Sequence, residues 1–198
     1  LLVGLISGCD LFDSNGDSDD QIIPPTQPSP ELPSEPPVGS PADNGVTIEG
    51  KEWLQPDLFL GYTWDQVNAV CPEGECLGAL PGSAINLTGY NWASVEDLNA
   101  LFNHYVGSDV LGPGPDCYGE GHDNPWVDAF FDDGWRDHNF FPGYVSVGGR
   151  LRDSADYIAI LVDSWTPGMG SGGDGICTNE TFTGVNDPGT GAWFYRTS

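Results

Sequence analysis

The chain divides into a proline-rich segment and an aromatic segment, and this division most constrains what it can fold into. Eight of its 17 prolines lie within residues 24–41, whereas all seven Trp and all seven Tyr lie beyond Glu52. A Pro- and Ser-rich stretch almost without aromatic residues buries too little surface to offset the entropy of ordering it. The sequence therefore predicts a disordered linker at residues 10–46 and one globular domain at residues 47–198.

The charge of the chain restricts its partners. Lys and Arg total 5 against 30 Asp and Glu, for a net charge of -25, and residues 10–50 hold nine acids and no base. Nucleic acid is excluded as a partner, because its binding depends on cations that neutralise phosphates. Hard divalent cations are the natural counter-species for carboxylates. The alternative is that the charge serves solubility alone.

The chain begins with the apolar stretch "LLVGLISGCD". Leu5 to Cys9 resembles a bacterial lipobox, in which a branched residue and two small residues precede the Cys that receives a diacylglyceryl group. Residues 1–9 are then a signal remnant ending at the lipidation site, Cys9. A truncated transmembrane helix is the alternative, which the charged and proline-rich residues after Cys9 make less favourable.

Acylation of Cys9 predicts a partner and a location. One acyl chain holds a protein only marginally, at about 0.8 kcal/mol per buried methylene, whereas two or three chains anchor it stably in a lipid bilayer. We therefore expect a cell-envelope lipoprotein of a Gram-negative bacterium. It would sit either at the outer membrane and cell surface or on the inner membrane facing the periplasm, and Asp10 weakly favours the latter.

Two helices are predicted early in the domain by capping boxes. Thr63 and Gln66 form the first box, and Ser94 and Asp97 form the second. Apolar residues follow the 3.6-residue period after Ser94, and Gly107 suits a helix C-terminus. Later runs indicate strands, namely "YVSV", "YIAILV" and the closing "AWFYR". The predicted fold class is α+β, with early helices, late antiparallel strands and a loop-rich middle.

Cysteine usage indicates disulfide bonds. Lipidation consumes Cys9 and leaves four cysteines in a domain that folds outside the cytoplasm, where disulfides persist. Four cysteines allow three pairings. Cys71 and Cys76 flank the turn-like "PEGE", which favours this local bond together with a bond between Cys117 and Cys177.

Two blocks of sequence carry a family resemblance. "YTWDQVNAVC" and "LTGYNWASVEDLNALF" resemble helical blocks of the Lcl C-terminal domain family of bacterial surface proteins, and "GAWFYR" is similar to its closing strand. "LGPGPD" is similar to a stretch of secreted Gram-negative proteins, some of which carry PEP-CTERM anchors. The resemblance implies a C-type lectin-like domain. The chain departs from the family at Trp92-Ala93-Ser94-Val95, where Trp-Arg-Leu-Pro-Thr is usual, and in lacking a Cys after Cys177.

The densest group of candidate site residues is "DCYGEGHDNPWVDAFFDDGWRD", residues 116–137. Crowded carboxylates repel one another unless a cation lies among them, so calcium is the candidate cofactor. The candidate metal ligands are Asp116, Glu120, Asp123, Asp128, Asp132 and Asp133. Aromatic faces beside them suit sugar rings, and the candidate ligand-binding residues are Trp126, Trp135, Tyr118 and Asn124. The alternative is a solvated acidic loop whose aromatic residues point into the core.

No catalytic motif is apparent: the sequence contains no Gly-x-Ser-x-Gly elbow, phosphate loop or dinucleotide fingerprint. We therefore expect a non-enzymatic binding or adhesion domain for a glycan or another extracellular polymer. The alternative is a structural or assembly component that binds a partner protein in the envelope, and the third possibility is a secreted hydrolase.

Overall fold

The computed structural model describes residues 44–121, 124–138, 140, 144–163, 173–181 and 189–198. The proposed linker up to residue 43 and the lipidation site at Cys9 lie outside these residues. The described residues all belong to one compact unit, which extends to Ser198. Its first strand begins at Gly45, two residues before the domain start that the sequence predicts.

The described part of the domain contains three helices and nine strands, which confirms the α+β class. The helices are α1 (Trp64–Val70), α2 (Val95–Val106) and α3 (Pro125–Asp132). The strands are β1 (Gly45–Ile48), β2 (Lys51–Leu54), β3 (Asn91–Trp92), β4 (Cys117–Gly119), β5 (Val145–Arg150), β6 (Tyr157–Asp163), β7 (Gly175–Thr181), β8 (Gly191–Ala192) and β9 (Phe194–Thr197).

Both predicted capping boxes are present. Thr63 Oγ1 accepts a hydrogen bond from the Gln66 amide at 3.3 Å, and Gln66 Oε1 accepts one from the Thr63 amide at 2.8 Å. Ser94 and Asp97 repeat the arrangement at the start of α2. Gly107 ends α2 in the left-handed conformation at φ 76°, where glycine avoids the steric cost of a Cβ. The two early helices are therefore confirmed, with their termini.

The strands form two sheets. One has the order β1-β2-β9-β3 and is antiparallel throughout. The other has the order β4-β7-β6-β5-β8, in which only the β5–β8 pair is parallel. The late strands are as predicted, except that the closing run splits at Trp193 and contributes β8 to one sheet and β9 to the other.

The two predicted disulfides are both formed. Cys71 bonds Cys76 across five residues, and Cys117 bonds Cys177 across 60 residues. The second bond joins directly paired residues of β4 and β7. Cys71 and Cys76 are buried, whereas Cys117 is exposed at the edge of its sheet.

The larger hydrophobic core lies where α2 and α3 pack against strands of both sheets. Trp193, at the point where the chain passes from β8 to β9, is fully buried in this core. Its ring contacts Phe102 of α2 at 6.1 Å and Trp135 at 5.3 Å between ring centroids, and its indole N–H donates to Ala159 O at 3.2 Å. This packing fixes the position of α2 on the core.

Candidate functional site

The acidic-aromatic segment 116–137 separates its two kinds of side chain between core and solvent. Trp126 is 7% exposed and Trp135 is 3% exposed. The Trp135 ring stacks on Phe130 with centroids 4.9 Å apart and planes within 6°. The expectation that these two tryptophans present a face to a sugar is therefore wrong, because both rings pack in the core.

The reason is that residues 125–132 form helix α3, where the sequence predicts a loop. Trp126, Val127 and Phe130 lie on the buried face of α3, whereas Asp128 is exposed. An amphipathic helix directs its apolar face into the core and its carboxylates to water. The mixture of acidic and aromatic residues in this stretch therefore reflects an amphipathic helix on the surface of the domain.

A chain of two hydrogen bonds fixes the C-terminal end of this segment. The Trp135 indole donates to Tyr105 Oη at 2.9 Å, and the Tyr105 hydroxyl donates to Asp133 Oδ2 at 2.9 Å. Burial and the bond to Asp133 raise the pKa of Tyr105, against the opposing effect of Trp135. Asp133, a candidate metal ligand, thus serves as the acceptor that orients Tyr105.

The other candidate metal ligands are also dispersed. Asp116 turns back to accept from the Cys117 amide at 2.8 Å, and Glu120 accepts from the Tyr118 hydroxyl. Asp128 and Asp132 are exposed on α3, and Asp123 lies outside the described residues. Across the part of the chain that the structure describes, no three His, Cys, Asp or Glu residues lie close enough to hold a metal ion.

Asn124 and Tyr118 have structural partners. Asn124 precedes α3 and donates from its amide at 2.9 Å and from Nδ2 at 3.0 Å to Oδ2 of Asp174, which is 1% exposed. This pair ties the start of α3 to the start of β7. Tyr118 is half-buried against the larger core, and the hydrogen bond to Glu120 raises the pKa of its hydroxyl.

His138, just after this segment, joins it to β5. Its Nε2 accepts from the Gly148 amide at 3.1 Å, which places the proton of the neutral ring on Nδ1. That Nδ1 is buried without a hydrogen-bond partner among the described residues, and so is Oδ1 of Asp57. Burial lowers the pKa of His138, although the carboxylates of Asp57 and Asp137 act in the opposite direction.

We expect the stability of the domain to fall in mild acid because His138 becomes protonated there. A histidine with a lowered folded-state pKa binds protons more readily when unfolded, so its contribution is complete above the unfolded pKa of about 6.5 and is lost as pH falls towards the folded pKa. His138→Gln keeps an acceptor for Gly148 and should flatten the dependence of the melting temperature on pH between about 5 and 7. An unchanged slope in that variant, or an equal flattening in His104→Gln, would contradict this assignment.

An open groove lies along α2, away from the acidic-aromatic segment. Its volume is about 770 Å³, and the loop that follows Gly107 forms one wall. The carboxylates of Glu49, Glu96 and Asp109 line it, and none of the described lining residues is Lys or Arg. His104 lies in the groove with Nδ1 3.1 Å from Glu49 Oε1.

Two asparagines one helical turn apart fix this wall to α2. Asn99 Nδ2 donates to Gly112 O at 2.6 Å and to Gly114 O at 2.8 Å, and Thr178 Oγ1 donates to Asn99 Oδ1 at 2.7 Å. Asn103 donates to Leu111 O and accepts from the Leu111 amide, both at 2.9 Å. The groove is therefore preformed, since its wall is held by side chains of the opposite wall.

The groove is not among the sites predicted from the sequence. The "LGPGPD" stretch drew attention for its family likeness, but nothing in it indicates which residues it faces. The available signal was the i, i+4 pair of Asn99 and Asn103, because residues at this spacing share one face of a helix and asparagine side chains can hydrogen-bond backbone groups.

Among the described residues, no helix combines the length and the apolar character needed to cross a bilayer. Comparisons with protein-family models, with curated proteins and with solved structures found no match to the chain. The likeness to the Lcl C-terminal domain family thus rests on the sequence blocks alone and stays a prediction.

Proposed function

We propose that the protein is a non-catalytic lipoprotein of the bacterial cell envelope whose domain binds a glycan or another extracellular polymer. The observation that carries the binding role is the groove along α2, which is open along the surface and has a wall fixed in advance by Asn99 and Asn103. A preformed wall lowers the cost of ordering on binding. A groove that is open along the surface can hold one segment of a long polymer whose ends extend beyond the site.

The envelope location is supported by the lipobox-like Leu5 to Cys9 and by the disulfides. Cys117 is exposed, and a disulfide at an exposed position persists only in an oxidising compartment. We therefore expect the domain to lie outside the cytoplasm, where acylated Cys9 would hold it at the bilayer. Mass spectrometry of the native protein tests the anchor: we expect Cys9 to be the N-terminal residue and to carry two or three acyl chains.

Binding is tested by applying the purified full chain to a panel of immobilised bacterial polysaccharides, followed by calorimetry on any positive. We expect saturable binding with a dissociation constant that reproduces between the two methods. Addition of calcium or of a chelator to the same titrations tests the predicted cofactor, and an unchanged melting temperature and affinity would remove calcium from the proposal. Absence of binding across all polysaccharides would contradict the glycan role.

The second candidate function, binding to a partner protein, is favoured by one specific feature. Leu77 is 67% exposed beside the buried Cys71–Cys76 bond, and Leu60 is 41% exposed. Large apolar side chains at such exposure are common singly, but they also anchor protein interfaces. Crosslinking in cells distinguishes the two functions, since one dominant protein adduct that Leu77→Ser abolishes would favour the partner protein.

A further inference from the structure

We infer that the groove along α2 is the binding site and that its ligand is a glycan chain carrying free amino groups. The inference deepens the proposed function and rests on it, because it names the site and the ligand class for the same binding role.

The chemistry of the lining selects a ligand rich in donors. The acidic side chains at the groove surface are Glu49, Glu96 and Asp109, whose carboxylates only accept hydrogen bonds when ionised, and His104 and Ser108 are the other exposed polar side chains there. Asn99 and Asn103 have their amide groups committed to the wall, so they do not compete for a ligand. With no Lys or Arg among the described lining residues, an anionic polysaccharide is repelled.

An ammonium group on a sugar satisfies this site better than a hydroxyl does. Hydrogen bonds between an ammonium and a carboxylate are shorter and about twice as strong as neutral ones. Glu96 and Asp109 are exposed and make no hydrogen bond or ion pair with another described side chain, so both carboxylates are available to a ligand. Glu49 Oε1 already lies 3.1 Å from His104 Nδ1, so this carboxylate is less available to a ligand.

The groove also offers the apolar contact that a sugar ring requires. Ala100 and Pro113 line it with exposed side chains, and Leu111 lines it with a side chain that is only 3% exposed. Carbohydrate faces carry C–H groups that pack on such surfaces, and sites of this size, in the range of about 300–1,000 Å³, hold small ligands or segments of chains. These apolar contacts distinguish the groove from a bare acidic surface, which would attract any cation.

The test compares two ligands with the same sugar backbone, one with free amino groups and one with those groups acetylated. The full chain in non-ionic detergent is titrated at about pH 6, where a sugar amine is protonated, with a tetramer of β-1,4-linked glucosamine and with its fully N-acetylated counterpart. We expect the amine tetramer to bind at least about tenfold more tightly, with an affinity that falls as salt rises. Tetralysine serves as a cation without sugar rings and should bind more weakly than the amine tetramer.

Charge variants locate the site. Glu96→Gln and Asp109→Asn preserve shape and should each weaken the amine tetramer by about two- to fivefold, and together by about tenfold. Asp128→Asn and Asp132→Asn remove the same charge from α3, outside the groove, and should leave the affinity unchanged. An equal loss of affinity in both pairs of variants would mean that the net charge of the protein alone attracts the ligand, and it would overturn the inference.

Steric variants locate it independently. Gly112 lines the groove and Gly114 does not, and a Cβ at either position meets no atom within 4 Å. Gly112→Gln should therefore weaken binding by about tenfold or more by occupying the groove, whereas Gly114→Gln should have little effect. Equal affinities in the two variants would overturn the assignment of the site.

The outcomes separate this inference from the proposed function. If both tetramers bind equally, or if neutral or anionic polysaccharides bind and the amine tetramer does not, the ligand class is wrong and the glycan-binding function stands. If no polysaccharide of any class binds, the proposed function fails, and the inference fails with it.

Discussion

Replacing both cysteines of the long disulfide, as Cys117→Ser with Cys177→Ser, is expected to lower the free energy of unfolding by about 4 kcal/mol. The bond joins residues 60 apart, and opening it restores the conformational freedom of that whole loop to the unfolded chain. In the folded domain the bond joins paired residues of β4 and β7, at a position where Cys117 is exposed. Serine therefore fits without creating a large cavity. Urea unfolding followed by far-UV circular dichroism measures the loss.

The short disulfide provides the comparison. Cys71 and Cys76 are only five residues apart, so the same entropy argument assigns that bond about 2 kcal/mol. Both sulfurs are buried, however, and their loss also removes packing, so Cys71→Ala with Cys76→Ala measures the two effects together. Serine substitutions at the long disulfide that cost less than about 1 kcal/mol would contradict the loop-entropy account. If they prevent folding, mild reduction of the native protein gives the same comparison, since the exposed bond should be reduced first.

The elements predictable from the sequence were those encoded by neighbouring residues. Thr63 with Gln66, and Ser94 with Asp97, mark helix starts because each box is closed within four residues. The β1–β2 hairpin carries a comparable local signal, although it is not among the predicted elements. Glu49 and Gly50 form its two-residue turn with φ of 50° and 76°, which is the geometry that such hairpins require.

The elements that escaped prediction depend on distant residues. α3 has only eight residues, and its Asp and Pro content is typical of loops, so its helical period becomes decisive only once the core that receives Trp126 and Phe130 is known. In the same way, the exposure of Trp135 cannot be inferred from its acidic neighbours, because Phe130 and Trp193 cover its ring.

The groove was also not predictable from the sequence, because its acidic residues come from distant parts of the chain. Glu49 reaches the groove from the turn between β1 and β2, Glu96 from the first turn of α2, and Asp109 from the loop after it. These positions share no spacing that a linear pattern would reveal. The sequence instead indicated the segment with the highest density of acids, where the structure disperses the side chains. In so acidic a chain, local density of carboxylates is a weak guide to a site, whereas convergence on one groove is informative.

Replacing Trp193 with alanine is expected to lower the free energy of unfolding by about 4 kcal/mol, within the range of about 3–5 kcal/mol for large aromatic residues in cores. Trp193 is fully buried, and it occupies the single position at which the chain crosses from β8 to β9. Its removal leaves Phe102 and Trp135 without their shared neighbour and the Ala159 carbonyl without its donor. Leu77→Ala, at a side chain 67% exposed, should change stability by less than about 0.5 kcal/mol and is the control.

A double-mutant cycle with Gly149 tests whether the Trp193 ring lies where the structure places it. A Cβ added at Gly149 would lie 2.7 Å from Trp193 Cδ1, so Gly149→Ala forces the ring to move and should cost about 1–3 kcal/mol. In the Trp193→Phe background, the smaller ring relieves part of this clash, and the cost of Gly149→Ala should fall by at least about 0.5 kcal/mol. Strictly additive effects would mean that the two residues do not touch. Phe102 of α2 packs on the same ring, so a shifted Trp193 would also displace α2, which forms one wall of the groove. The Gly149→Ala variant should therefore weaken ligand binding, although residue 149 does not line the groove.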